Sequence, residues 1–88
     1  MMLPDHERAF YIDEACRLLA DALDTPELAA QVDDKMTFLD AGINSGEIIR
    51  LLYLCEAYLG IEIDDDEMFA ITSLQALAAM LHRYRTGG

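Results

Sequence analysis

Positive charge is what this sequence has least of: six Lys and Arg stand against seventeen Asp and Glu, a formal charge of −11. Such a surface repels phosphate backbones and anionic lipid headgroups, so neither nucleic acid nor membrane is expected as a partner. It suits a partner with a basic rim, met faster through a long-range attraction that salt weakens. No apolar run is long enough to span a bilayer, although 53% of the residues are hydrophobic. No basic segment leads into an apolar stretch at the start, so no secretory signal is expected and the predicted location is cytoplasmic. Two prolines and five glycines leave little material for linkers, and there is no internal repeat. The expectation is one domain, 1–88, monomeric, with loose ends at 1–4 and 86–88. A chain of this size buries only about 60–65% of its unfolded surface.

Cysteine and histidine are scarce as well. Cys16 and Cys55 each fall on the apolar side of a predicted helix, which reads as two buried free thiols in a reducing compartment. His6 and His82 lie near opposite ends with no metal-ligand spacing, and neither is near Ser45 or Cys55 in sequence. Glu62, Asp64, Asp65, Asp66 and Glu67 crowd one corner but lack the glycine and the closing glutamate of an EF-hand loop. They read as a solvated acidic corner, and no metal site is expected.

What the chain does have is helical periodicity. Ile12, Cys16, Leu19 and Leu23 recur at four- and three-residue steps, with Ala9 extending the seam, predicting a first helix from about Asp5 to Leu23. Pro26 ends it, and Thr25 is placed to cap a short turn through Pro26–Ala30. A long connection follows, with Phe38 and Leu39 predicted to plug it onto the core. A second helix runs from Ser45 to Leu59, stopped by Gly60, with Ile48, Leu51 or Leu52, Cys55 and Leu59 facing inward. Gly60–Ile63 alternates like a strand but has nothing to pair with. The acids of that crowded corner suit the start of a short helix expected through Met68–Ile71. The last helix opens on Thr72 as cap with Gln75 closing a capping box, and buries Leu74, Leu77, Leu81 and Tyr84. Three longer helices and one short one make an all-α, small four-helix bundle.

The functional interest centres on residues 38–52. Asn44 is a good N-cap and Glu47 completes a capping box, which puts Ser45 at the first helical position with its hydroxyl free. Gly42 supplies the backbone freedom a sharp turn needs, and Gly46 leaves space beside the serine. An anionic group on Ser45 would sit over the positive end of the helix dipole. On these grounds alone, a serine at a helix start is commonly only a cap.

The flanks add a resemblance. Asp40-Ala41-Gly42-Ile43-Asn44-Ser45 resembles the D-x-G-x-D-S signature of acyl and peptidyl carrier proteins, and the similarity continues through Gly60–Glu67 and Ile71–Leu74. The resemblance implies a 4′-phosphopantetheine arm on Ser45, flanked by Asn44 and Gly46, whose thiol holds an acyl or aminoacyl cargo as a thioester. The family usually has Asp at the position of Asn44 and Leu or Met at that of Gly46. It implies as partners a phosphopantetheinyl transferase, an acyl- or aminoacyl-loading ligase and downstream biosynthetic enzymes, with no catalysis by the carrier itself. Glu47, Ile49, Arg50 and Tyr53 are expected to face those partners, and Ile49 with Tyr53, four residues apart, to form a small docking patch. The residue matching Ile71 lines the space beside the arm, with Met68 in the same short helix. Carriers of fatty-acid synthesis commonly show Glu at the position of Arg50, so the mixed face here suggests a dedicated pathway. Two other readings stand beside the carrier: an interaction module of the same fold without the arm, and an enzyme using Ser45 as nucleophile, for which no general base is apparent.

Overall fold

The computed structural model describes residues 5–85. Three helices carry the fold: α1 (Asp5–Ala22), α2 (Ser45–Leu59) and α3 (Leu74–Arg85). Two short 3-10 turns, Pro26–Gln31 and Asp65–Phe69, sit in the connections. Among the described residues there is no strand, only an isolated antiparallel bridge between Thr37 and Ser73. The bundle is all-α, as its periodicity predicts. The ends expected to be loose, 1–4 and 86–88, lie outside the described residues, as does the side chain of His6.

α1 packs against both other helices, and so it buries a broader, rotated stripe than the predicted seam. Tyr11, Ala15, Leu18, Leu19, Ala22 and Leu23 are buried; Ile12 and Cys16 are half-buried and Ala9 is exposed. Ala15 and Ala22 have no accessible surface at all. Small residues at a two-sided contact let the backbones approach closely, so side-chain bulk is a poor guide to which face is inside. Pro26 opens the first 3-10 turn as expected, but Thr25 makes no side-chain cap bond there.

The long connection before α2 is anchored at one residue. Phe38 is 1% exposed, its N–H donates to Thr72 O at 2.8 Å, and its carbonyl accepts from Ile43 N at 2.9 Å. Leu39 does not share this role: it is 74% exposed. Residues 38–42 coil in a tight turn, with Ala41 N donating to Phe38 O and Gly42 N to Leu39 O, and the turn directs Phe38 inward and Leu39 out to solvent.

The second half of the chain departs from its predicted boundaries in two places. The short helix starts among the acids as expected, capped by the Asp64 side chain, which accepts from Asp66 N, but it is a 3-10 turn. It ends at Phe69, leaving Ile71 buried beyond it. The cap of α3 is Ser73, not Thr72: Ser73 Oγ accepts from Ala76 N at 3.1 Å. The Gln75 N–H goes instead to Asp34 O, and the Thr72 carbonyl to Phe38. Those two bonds and the Thr37–Ser73 bridge tie the connection to the start of α3.

Candidate functional site

The start of α2 is built as its sequence dictates. Gly42 adopts φ +87°, a left-handed conformation that closes the turn begun at Leu39. Ile43, 1% exposed, pins the chain to the core immediately before the helix. Asn44 Oδ1 then accepts from Glu47 N at 2.8 Å, and Glu47 Oε1 accepts from Asn44 N at 3.2 Å. Both halves of the capping box are present, so Asn serves here as well as Asp for geometry. Gly60 at φ +71° ends the helix in the left-handed conformation.

This frame leaves Ser45 exposed at the first position of α2, its hydroxyl making no hydrogen bond among the described residues. Beside it opens a cleft of about 540 Å³, within the range of small-molecule sites. Ser45 and Ile48 form its helical wall; Phe38, Leu39 and Asp40 come from the connection; Met68, Phe69 and Ile71 lie opposite. The surface is overwhelmingly apolar, with Ser45 and Asp40 near its polar edge. Ile71 is fully buried and Met68 half-buried, while Leu39 and Phe69 are about three-quarters exposed.

The structure thus brings Ser45, Met68 and Ile71 together at one cleft and leaves the other expected partner-facing residues outside it. Ile49 and Tyr53 are exposed on the outer face of α2, at four and eight residues from Ser45. Gly46 is exposed beside the serine; a Cβ there would meet Asn44 Oδ1 at 3.3 Å. Glu47 and Arg50 have an intramolecular occupation that spacing alone does not reveal. Arg50 Nη1 donates to Ala22 O at 2.9 Å and to Asp24 Oδ1 at 3.0 Å, capping the C-terminal end of α1. Glu47 Oε2 accepts from Asp24 N at 3.1 Å, so the same corner of α1 is gripped from both sides. Leu39, Ile48 and Phe69 are cleft residues that sequence reasoning missed. Leu39 and Ile48 read as core residues in the sequence, and the available signal for Phe69 is a large apolar residue next to Met68, already placed beside the arm.

Neither cysteine is set up as a nucleophile. Burial, and then the nearby Glu56 carboxylate, push the Cys55 thiol from 9.0 up to about 12, so it stays protonated. Cys16 is raised in the same direction by burial and by Asp34 and Asp13. His82 lies against Glu7 and edge-on to Tyr11, and no histidine lines the cleft among the described residues.

An all-α bundle presenting an open serine at a helix start, beside an apolar cleft, is a domain of the acyl-carrier type. A family profile described as phosphopantetheine attachment site matches residues 13–81, from within α1 to within α3. The chain therefore belongs to the phosphopantetheine-attachment-site family, whose domain takes 4′-phosphopantetheine on a serine. No curated protein and no solved structure matches it.

Proposed function

We propose that the protein is a carrier that holds an acyl intermediate as a thioester on a 4′-phosphopantetheine arm at Ser45 and presents it to partner enzymes. The observation that carries this reading is a contrast between the chain's two serines. Ser73 Oγ is committed to capping α3, whereas Ser45 is unbonded, exposed and open to the apolar cleft. The residues present fit the arm: its phosphate at Ser45 would sit at the unpaired N–H groups and positive dipole end of α2. When attached, the arm supplies the thiol that bonds the cargo. The chain's own residues then position and shelter: Asn44 and Glu47 hold the helix start, and Ile48, Met68 and Ile71 offer apolar surface. That surface favours an acyl chain over an aminoacyl group, whose ammonium would lose its hydration there.

Carrier domains of this family are generally non-catalytic and work with a phosphopantetheinyl transferase and biosynthetic enzymes. Here the loading ligase and downstream enzymes of a dedicated cytoplasmic pathway are the partners we propose, docking on Ile49 and Tyr53 beside Ser45. Among the described residues no helix is long and apolar enough to cross a membrane. The test is intact mass after incubation with a broad-specificity phosphopantetheinyl transferase and coenzyme A. The expected result is one phosphopantetheine of added mass, absent in Ser45→Ala. No gain with several transferases would return the chain to the reading as an arm-less interaction module.

A further inference from the structure

The walls of the cleft are held in unequal ways. The connection is bolted through Phe38, whose ring is buried and whose backbone bonds both Thr72 and Ile43. Ser45 and Ile48 belong to a regular helix. The third wall, the 3-10 turn Asp65–Phe69, has no buried residue of its own. Ile63 and Ile71 anchor the chain on either side of it, at 4% and 0% exposure. Between those anchors Met68 packs partly against the core, and among the described residues the polar tie to α3 is one carboxylate. Arg83 Nη2 donates to both Glu67 oxygens at 2.9 and 2.8 Å, and the Tyr84 hydroxyl donates to Glu67 Oε2 at 2.8 Å. The Glu67 side chain is 18% exposed and that of Arg83 49%, so solvent screens the ion pair in part while the Tyr84 bond is the more sheltered one. Met68 and Phe69, the next two residues, line the cleft.

We infer that Glu67 is a positioning residue: its clamp to Arg83 and Tyr84 holds the Met68–Phe69 wall in place and thereby limits the length of acyl chain the cleft can enclose. The inference rests on the carrier reading and adds to it a determinant of cargo size. α3 does not depend on the clamp for its own packing, because Leu74, Leu77, Ala78, Met80 and Leu81 bury its inner face without it. Loss of the clamp therefore loosens one wall and leaves the bundle standing.

The experiment loads the protein, through the transferase, from butyryl-, hexanoyl-, octanoyl- and dodecanoyl-coenzyme A and follows thioester cleavage by hydroxylamine. In the wild type, protection rises with chain length and then levels off when the cleft is full. Glu67→Ala is expected to lower protection of the shorter chains by about fivefold and to move the plateau to a longer chain. Tyr84→Phe, which removes one of the three bonds, should shift both in the same direction by less, and it serves should Glu67→Ala fail to fold. A plateau at the same chain length in wild type and variants would overturn the inference, as would protection independent of chain length. Backbone amide exchange at Met68, Phe69 and Ala70 in the unmodified protein gives a second readout. It should quicken by a similar factor in the variants, and unchanged exchange would overturn the clamp. Failure of Ser45 to accept the arm counts against the carrier reading alone, since the exchange measurement does not need the arm.

Discussion

Arg50 is the residue whose role changes most between sequence and structure. Its guanidinium satisfies the α1 carbonyl of Ala22 and pairs with Asp24, in a corner where Glu47 already accepts from Asp24 N. Arg50→Glu would remove both bonds and set a third carboxylate among Asp24 and Glu47. The side chain is half exposed, so screening keeps the cost near 1 kcal/mol. A chain of this length then loses about 4–8 °C in Tm, read by thermal unfolding. A loading assay on this variant must accordingly be normalised to its folded fraction before any partner contact is assigned to Arg50. Gly46 poses an opposed pair of effects. Alanine gains roughly 1 kcal/mol of helix propensity, but its Cβ would press on Asn44 Oδ1, the atom that caps Glu47. Gly46→Ala should therefore raise Tm by less than propensity alone implies, measured by the same scan.

At the level of elements, the corrected cap of α3 makes a direct comparison possible. Ser73→Ala should cost about 1 kcal/mol in urea denaturation, while Thr72→Ala, with no side-chain bond recorded to the helix, should cost much less. Helix existence was legible in the chain because apolar spacing, Pro26, Gly60 and the Asn44–Glu47 pair are local signals. The start of α2 was legible for the same reason, and with it the exposed serine. The facing of α1 was not, because two-sided burial of Ala15 and Ala22 depends on neighbours absent from a single-helix pattern. Nor was the choice between Thr72 and Ser73. It is decided by Asp34 and Phe38, far off in the sequence, which claim the Gln75 N–H and the Thr72 carbonyl. The cleft shared this fate: its walls come from three separate stretches that only the tertiary fold assembles.

Taken whole, the molecule combines a formal charge of −11 with a core that, among the described residues, has no buried polar or charged residue. Added salt should therefore act with opposite signs on two properties. Screening self-repulsion raises Tm, while attraction to a partner with a basic rim weakens, and a transferase of that kind should lose kcat/KM for arm attachment as the Debye length contracts from about 10 Å at 0.1 M to about 3 Å at 1 M. Alkali should destabilise the fold through Cys55. Its thiol titrates at about 12 when folded against 9.0 in the ordinary state, so between those values the native protein holds a proton the unfolded chain has lost. The contribution is fully present below pH 9.0 and falls as pH rises toward 12, at up to roughly 1.4 kcal/mol per unit. The rise in Tyr84, caused first by its bond to Glu67, works in the same direction. Urea titrations across this range should show a steeper decline for wild type than for Cys55→Ala, even though the variant starts less stable.

The crossing of Thr37 with Ser73 has a consequence for how the protein comes apart. Arm attachment asks mainly for a short neighbourhood, residues 38–47, held largely by bonds between residues close in sequence: Gly42 N to Leu39 O, Ile43 N to Phe38 O and the Asn44–Glu47 capping box. Sheltering a cargo asks for a seam between segments far apart in the chain. Mild denaturant should unpick that seam first, giving a species that a transferase still decorates but that surrenders its thioester to hydroxylamine as readily as a free peptide would.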